Sequence, residues 1–180
     1  MSAAEKPSGL GGTQTLVALV ENRPGVLARV VTLLRRRHFD LHTLSMGRSE
    51  VPGRSRLTLT IGGDPAYARR VADNLGKLVE VLRVEVLADR PAVRRDLALI
   101  KIGHEGDSLA QVQALCAAFR AHVVDVSPGS AILEITGDEA KIERFRSLLE
   151  PFGVAEMARS ECVAMVRGHE PPVDAATPAL

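Results

Sequence analysis

Between positions 21 and 30 the chain reads ENRPGVLARV, and this stretch decides the fold. It follows an apolar run at 16–20 that is long enough for one buried strand. Pro24 stands where a helix would begin, and proline suits the first helical turn because the N–H it lacks would have no intrahelical acceptor there. An apolar stripe at helical spacing follows, formed by Leu27, Val30, Val31 and Leu34. The pattern predicts a strand, a short turn and an amphipathic helix.

The turn at Gly25 is a candidate anion site. Gly25 has no side chain, so a ligand can approach the backbone there. The first N–H groups of the helix and the positive end of its dipole face the turn, which favours a carboxylate. A phosphate loop is not indicated, because the glycine-rich length and the lysine of such a loop are absent. An ordinary strand-to-helix connection without a ligand remains the alternative.

The remainder of the first half predicts one complete domain at 15–88. A strand at 15–21 and a helix at 25–37 are followed by a second strand around Leu44 and a half-exposed strand at 56–61. Asp64 and Pro65 predict the start of another helix, and a fourth strand covers 82–86. The order is β-α-β-β-α-β, the split unit of a ferredoxin-like sandwich.

The second half repeats this order after a predicted hinge at 89–93. Its domain spans 94–168 and ends in one long strand region at 154–166. The pairs Gly63-Asp64 and Gly137-Asp138 open corresponding helices, which indicates an internal structural repeat. The ends of the chain, 1–14 and 169–180, predict a flexible leader and a disordered tail, since they lack an apolar period.

Composition excludes several classes of function. The formal net charge is +1 and aromatic residues make up 3% of the chain, which argues against a nucleic-acid or membrane partner. No apolar run could span a bilayer, and no signal peptide is recognisable. Cys116 and Cys162 are isolated, so we expect free thiols in a reducing cytoplasm.

The residues predict no catalytic site and no metal site. None of the five histidines forms a short zinc-type pair with another histidine or a cysteine, and no nucleophile elbow is present. Glu80, Glu85 and Glu143 fall at positions predicted to be solvated surface.

Four stretches together resemble the small, regulatory subunit of acetolactate synthase, also called acetohydroxyacid synthase. They are 20–30, KLVEVLRV at 77–84, RDLALIKI at 95–102 and ARS at 158–160. The resemblance covers about 14–168. The first stretch alone is typical of ACT domains, which sense amino acids on many proteins, and the other three narrow the family.

The resemblance implies an α+β fold of two ferredoxin-like βαββαβ domains, an N-terminal ACT domain for effector binding and dimerisation and a C-terminal ACT-like domain. It implies no catalytic residue and no cofactor on this chain, with thiamine diphosphate, Mg and FAD on a large catalytic subunit. A homodimer would bind a branched-chain amino acid, usually valine, between the first-helix turn of one chain and the start of the second strand of the other. The implied effector-binding residues are Asn22, Pro24, Gly25, Val26, Leu27, Asp40 and Leu41.

The function implied is activation of the catalytic subunit together with feedback inhibition in valine, isoleucine and leucine biosynthesis. The family pattern has Gly-Tyr/Phe-Asn where this chain has His38, Phe39 and Asp40, so the identity and strength of the effector stay open. A free-standing sensor of tandem ACT domains is the alternative. A metal- or DNA-binding repressor is a weaker one, since residues 1–14 contain one lysine and no arginine.

Overall fold

The computed structural model describes residues 12–88, 90–103 and 108–168. Residues 1–11 of the predicted leader and the predicted tail from 169 lie outside these residues. The leader was predicted to extend to residue 14, which was wrong at its end, because Thr13 and Gln14 already belong to the first strand and pair with Gly62 and Ile61. The first unit follows the predicted order with these bounds: β1 (Thr13–Glu21), α1 (Val26–Arg36), β2 (Leu41–Arg48), β3 (Arg54–Gly62), α2 (Pro65–Leu75) and β4 (Val81–Val86).

The strands of the first unit form a four-stranded sheet in the order β2-β3-β1-β4, so β2 and β4 are its edges. Both helices pack on one face through residues at helical spacing. In α1 these are Val26, Val30 and Leu34, all at most 2% exposed. They meet alternate residues of the two central strands, such as Leu16 of β1 and Leu59 of β3. Burying this stripe is what holds an 11-residue helix that would be marginal alone.

The second unit has the same architecture. Its elements are β5 (Ala92–Gly103), α3 (Ser108–Phe119), β6 (His122–Ser127), β7 (Ser130–Gly137), α4 (Glu139–Leu149), a 3₁₀ helix (Glu150–Phe152), β8 (Val154–Arg159) and β9 (Val163–Val166). The sheet order is β6-β7-β5-β8, and β9 pairs with β5. The predicted α+β class with ferredoxin-like layout is therefore confirmed.

Three details of the second half differ from the sequence-based expectation. The boundary between the two compact units lies between Val93 and Arg94. Strand β5 nevertheless begins at Ala92, inside the stretch expected to be a hinge. The expected single strand at 154–166 is two strands, β8 and β9. Residues 164–168 group with the first unit rather than the second. The apolar pattern runs through 154–166 without showing the break between the two strands.

The internal repeat is visible in matching helix ends. Asp64 and Asp138 each cap a helix by accepting a hydrogen bond from the N–H three residues later, at 2.6 and 2.8 Å. After α1 and α3 the chain turns through a left-handed residue, His38 with φ 54° and Arg120 with φ 53°. In both places the following N–H bonds the carbonyl five residues earlier, which is the geometry of a Schellman cap.

The sheet face turned away from the helices is closed rather than half-exposed. Thr15 pairs with Thr60 and Val17 with Thr58 on this face, and all four are at most 9% exposed. Ala164, 1% exposed, accepts a hydrogen bond from the Arg56 guanidinium on the same face at 3.2 Å. The expectation of half exposure for β3 was wrong: Thr58 and Thr60 are buried, and Arg56 on the same face is hydrogen-bonded to a residue more than a hundred positions later.

A His38→Gly variant is expected to be more stable than the unchanged chain by up to about 1 kcal/mol. A residue with a side chain is strained in the left-handed conformation, and glycine removes that strain. The gain in stability is partly offset because glycine raises the conformational entropy of the unfolded chain. Urea unfolding followed by circular dichroism measures the change. Arg37→Gly is the control, because Arg37 has φ −92° and gains nothing from glycine. A less stable His38→Gly chain would contradict the role given to this helix end.

Candidate functional site

The turn between β1 and α1 presents unpaired backbone donors. Gly25 has φ 86°, and its lack of a side chain leaves α1 without a side-chain cap. In the part of the chain that the structure describes, no oxygen accepts from the N–H of Leu27 or Ala28. No acidic residue lies in the first turn of the helix to compensate the positive end of its dipole. The turn therefore offers N–H groups and positive potential to an external carboxylate.

Four of the five predicted turn residues are open to solvent: Asn22, Pro24, Gly25 and Leu27. The exception is Val26, which is 2% exposed and belongs to the core. Its side chain cannot line an open site, and its N–H already donates to the carbonyl of Arg23 at 3.4 Å. The neighbouring turn is anchored by the Asn22 N–H, which donates to the carbonyl of Gly53 at 2.8 Å.

The glutamates predicted to be free surface charges include two that are partly buried in ion pairs. The Glu80 side chain is 15% exposed and lies 2.5 Å from a guanidinium nitrogen of Arg29 on α1. Glu85, 21% exposed, lies 2.5 Å from Arg83. The prediction was wrong for these two. Glu80 pairs with an arginine of another element, which the local pattern cannot show, whereas Glu85 pairs with an arginine two residues earlier on the same strand. Arg29 thus links α1 to the loop before β4.

The second predicted half of the site, Asp40 and Leu41, starts β2. The Asp40 N–H donates to the hydroxyl of Tyr67 at 2.9 Å, and its carbonyl accepts from the N–H of Gly62 at 3.0 Å. Its carboxylate, 63% exposed, lies 3.1 Å from Nε2 of His42. A Cβ on Gly62 would meet that carboxylate and the His42 ring, so a larger residue there would require these two side chains to move. Leu41 is half-buried against the core.

Sequence reasoning missed Tyr67, His42 and Gly62, which together hold the Asp40 backbone and carboxylate. The alternation along β2 and β3 puts His42 and Gly62 on neighbouring strands, but it cannot show that they converge on one carboxylate. The only available signal was the pair of glycines, Gly62 and Gly63, directly before the helix cap at Asp64.

Within one chain the two halves are far apart. Glu21 is at the end of β1 next to the Gly25 turn, whereas Asp40 bonds Gly62, which pairs with Thr13 at the other end of β1. Because β1 has nine residues and a strand rises roughly 3.3 Å per residue, its ends are about 26 Å apart. One protomer therefore does not bring the predicted residues together.

Other reactive side chains do not form a site. Burial raises the pKa of the Cys116 thiol, so this cysteine stays protonated in the core. Burial, and then the nearby Asp96 carboxylate, raise the pKa of Cys162. Across residues 12–88, 90–103 and 108–168, no group of three or more His, Cys, Asp or Glu could hold a metal. None of the described helices is long and apolar enough to cross a membrane.

Comparisons with known proteins match both units. A family model described as the AHAS small subunit-like ACT domain matches residues 16–83, and one described as the small subunit of acetolactate synthase matches 95–168. The acetolactate synthase small subunit of Mycobacterium bovis is 41% identical over 156 residues, covering 87% of this chain and 93% of that protein. The probable acetolactate synthase small subunit of Archaeoglobus fulgidus is also 41% identical, with coverage of 87% and 98%.

A solved structure is similar over the same range. The crystal structure of the acetolactate synthase small subunit from Thermotoga maritima has a TM-score of 0.81 to this chain at 36% identity. The match covers 88% of this chain and 99% of that one.

Proposed function

Because the chain belongs to the acetolactate synthase small-subunit family, we propose that it is the cytoplasmic, non-catalytic regulatory subunit of that enzyme. In this role it binds a large catalytic subunit, which carries thiamine diphosphate, Mg and FAD, and raises its rate. A branched-chain amino acid, with valine the first candidate, binds this chain and inhibits the complex. The observation that carries the proposal is that both halves of the chain match small-subunit models in sequence, at 16–83 and 95–168.

The effector carboxylate would bind at the Gly25 turn. The unpaired N–H groups of Leu27 and Ala28 supply hydrogen bonds, and the helix dipole supplies potential, together favouring an anion. The half-exposed side chain of Leu27 supplies an apolar contact for a branched side chain. An ammonium partner is still needed, and the turn itself offers no free carboxylate, since Glu21 is paired with Arg23 at 2.9 Å.

The second half of the site would come from another copy of the chain. β2 is an edge strand, so its outer N–H and C=O groups can pair with a second β2. In an antiparallel pairing about a two-fold axis, the start of one β2 lies beside the end of the other. The end of β2, Arg48, pairs with Ser55, at the end of the sheet where β1 reaches the Gly25 turn. The partner's Asp40 and Leu41 would then approach this turn.

Exposed apolar residues support the β2 edge as the dimer surface. Leu27 and Val31, one turn apart on α1, are 40% and 39% exposed. Met46 is 38% exposed and pairs with the core residue Leu57, so it shares the helix-covered face of the sheet. The sequence-based prediction placed dimerisation in the first domain, through the open sheet face, the first helix and the edge strands. Of these, the open sheet face is closed and rich in threonine. The edge with its flanking helix is the surface that can pair.

The experiment that tests the function uses the chain and the cognate large subunit, purified separately. When the two are mixed and passed over a sizing column, we expect them to elute as one complex. Separate elution at micromolar concentration would favour the alternative, a free-standing amino-acid sensor that acts on another protein.

A further inference from the structure

A shallow groove runs along α1 on the side that faces the loop between α2 and β4. Its volume is about 490 Å³. The groove is formed by one face of the helix and one loop residue: Ala28, Arg29, Thr32, Leu33, Arg36, Arg37 and Leu78. The effector turn lies at the start of the same helix, but only Ala28 belongs to both surfaces.

The groove is strongly basic for its size. α1 contains no acidic residue. The one acidic residue of the adjoining loop at 76–80 is Glu80, which forms an ion pair with Arg29. Arg36 and Arg37 are exposed and contact no carboxylate within the described residues. The helix dipole favours cations in this last turn. That accounts for positive charge at the helix end, but not for two arginines that share one groove with apolar side chains.

The apolar part of the groove is also unusual for a free surface. Leu33 and Leu78, both half-buried, are among its lining residues. Val79, the next residue of the loop, is 88% exposed, the highest value among the large hydrophobic residues that are exposed in the described part of the chain. Arginine combined with half-buried aliphatic side chains is the composition of an interface core, where arginine is enriched and lysine and glutamate are depleted.

We propose that this basic groove, with Val79 at its edge, is a docking site for the catalytic subunit, and that it receives an acidic segment carrying an apolar anchor. The inference rests on the proposed function. Charge complementarity selects an acidic partner, since two guanidinium groups without carboxylates gain most from carboxylate hydrogen bonds. A nucleic acid fits less well, because the whole chain has a net charge of only +1.

The position of the groove gives the proposal a regulatory consequence. α1 begins at the effector turn and carries the groove along its length, and Arg29 links its first half to Glu80 of the loop that contains Val79. A rigid helix therefore connects the carboxylate-binding turn with the docking surface. An effector that shifts α1 changes the surface presented to the catalytic subunit.

The test compares two charge reversals in the same helical turn. Arg36→Glu changes the groove, whereas Arg35→Glu carries the same dipole penalty on a residue outside it. Affinity for the purified catalytic subunit is measured by titration calorimetry at low and high salt. We expect Arg36→Glu to raise the Kd at least tenfold more than Arg35→Glu and to flatten its salt dependence. Val79→Ser should weaken binding without changing that salt dependence.

Hydrogen exchange on the unchanged chain provides a second measurement that needs no variant. Amides of α1 and of the loop at 76–80 should gain protection when the catalytic subunit is added. Tight binding with equal Kd values for both charge reversals, and no added protection of these amides, would overturn the docking proposal. The proposed regulatory function would remain intact. If the unchanged chain does not bind the catalytic subunit at all, the proposed function fails and the groove proposal fails with it. Preferential binding of a DNA or RNA oligonucleotide in the groove would also overturn it.

Discussion

A Met46→Glu chain is expected to be monomeric at micromolar concentrations at which the unchanged chain is a dimer. Met46 lies on edge strand β2 and, like Leu27 and Val31 of α1, is an exposed large hydrophobic residue. In an antiparallel β2 pairing the two-fold axis places the new carboxylates of both protomers in one interface. Each carboxylate loses contact with water there and lies near the same negative charge of the other protomer. A cost of about 3–5 kcal/mol for an unpaired buried charge corresponds to a loss of affinity of more than a hundredfold.

Light scattering of the full-length chain measures this change. Leu82→Glu is the matched control, because Leu82 is equally exposed, at 38%, but lies on β4 at the opposite edge of the same sheet. The control is expected to remain a dimer. Dissociation of Leu82→Glu with an intact Met46→Glu dimer would place the interface on β4 and would separate the two halves of the effector site again.

An Asp40→Asn chain is expected to be inhibited by valine at about a tenfold lower concentration than the unchanged chain. The proposed site brings the partner's Asp40 towards the turn that binds the effector carboxylate, so the two negative charges repel. Two such charges about 4 Å apart repel by about 4 kcal/mol at an effective dielectric of 20 and by about 1 kcal/mol in water. The Asp40 side chain is 63% exposed and contacts His42, so we take the lower end, close to the 1.4 kcal/mol of a tenfold change.

The measurement is valine inhibition of the reconstituted enzyme, with Asp73→Asn as the control for loss of an exposed carboxylate elsewhere. Asparagine also restores a donor that the aspartate lacks. Equal sensitivity of Asp40→Asn and the unchanged chain would remove Asp40 from the site. A weaker response in Asp40→Asn would instead place its carboxylate beside the effector ammonium group.

The sequence predicted the repeated βαββαβ order and the helix caps correctly, because these depend on local spacing. Asp64 and Asp138 each cap a helix through a hydrogen bond from the N–H three residues later. Such features can be predicted from a few neighbouring residues. That His38 stands in place of a glycine came from the family resemblance instead, and the structure gives this residue a left-handed conformation.

Features that depend on distant residues were not predictable in this way. The closure of the outer sheet face involves Arg56 and Ala164, and the burial of Glu80 involves Arg29. The contact of Asp40 with His42 above Gly62 depends on how two strands are aligned, including a register shift between Leu41 and Thr43. The two halves of the effector site need a partner chain, which periodicity within one chain cannot show.

The most direct test of the regulatory role is the rate of acetolactate formation from pyruvate by the cognate catalytic subunit as this chain is added. We expect the rate to rise several-fold and then saturate, the chain alone to form no acetolactate, and valine to lower the rate of the saturated complex. An unchanged rate across the whole titration, with no response to valine, would contradict the account.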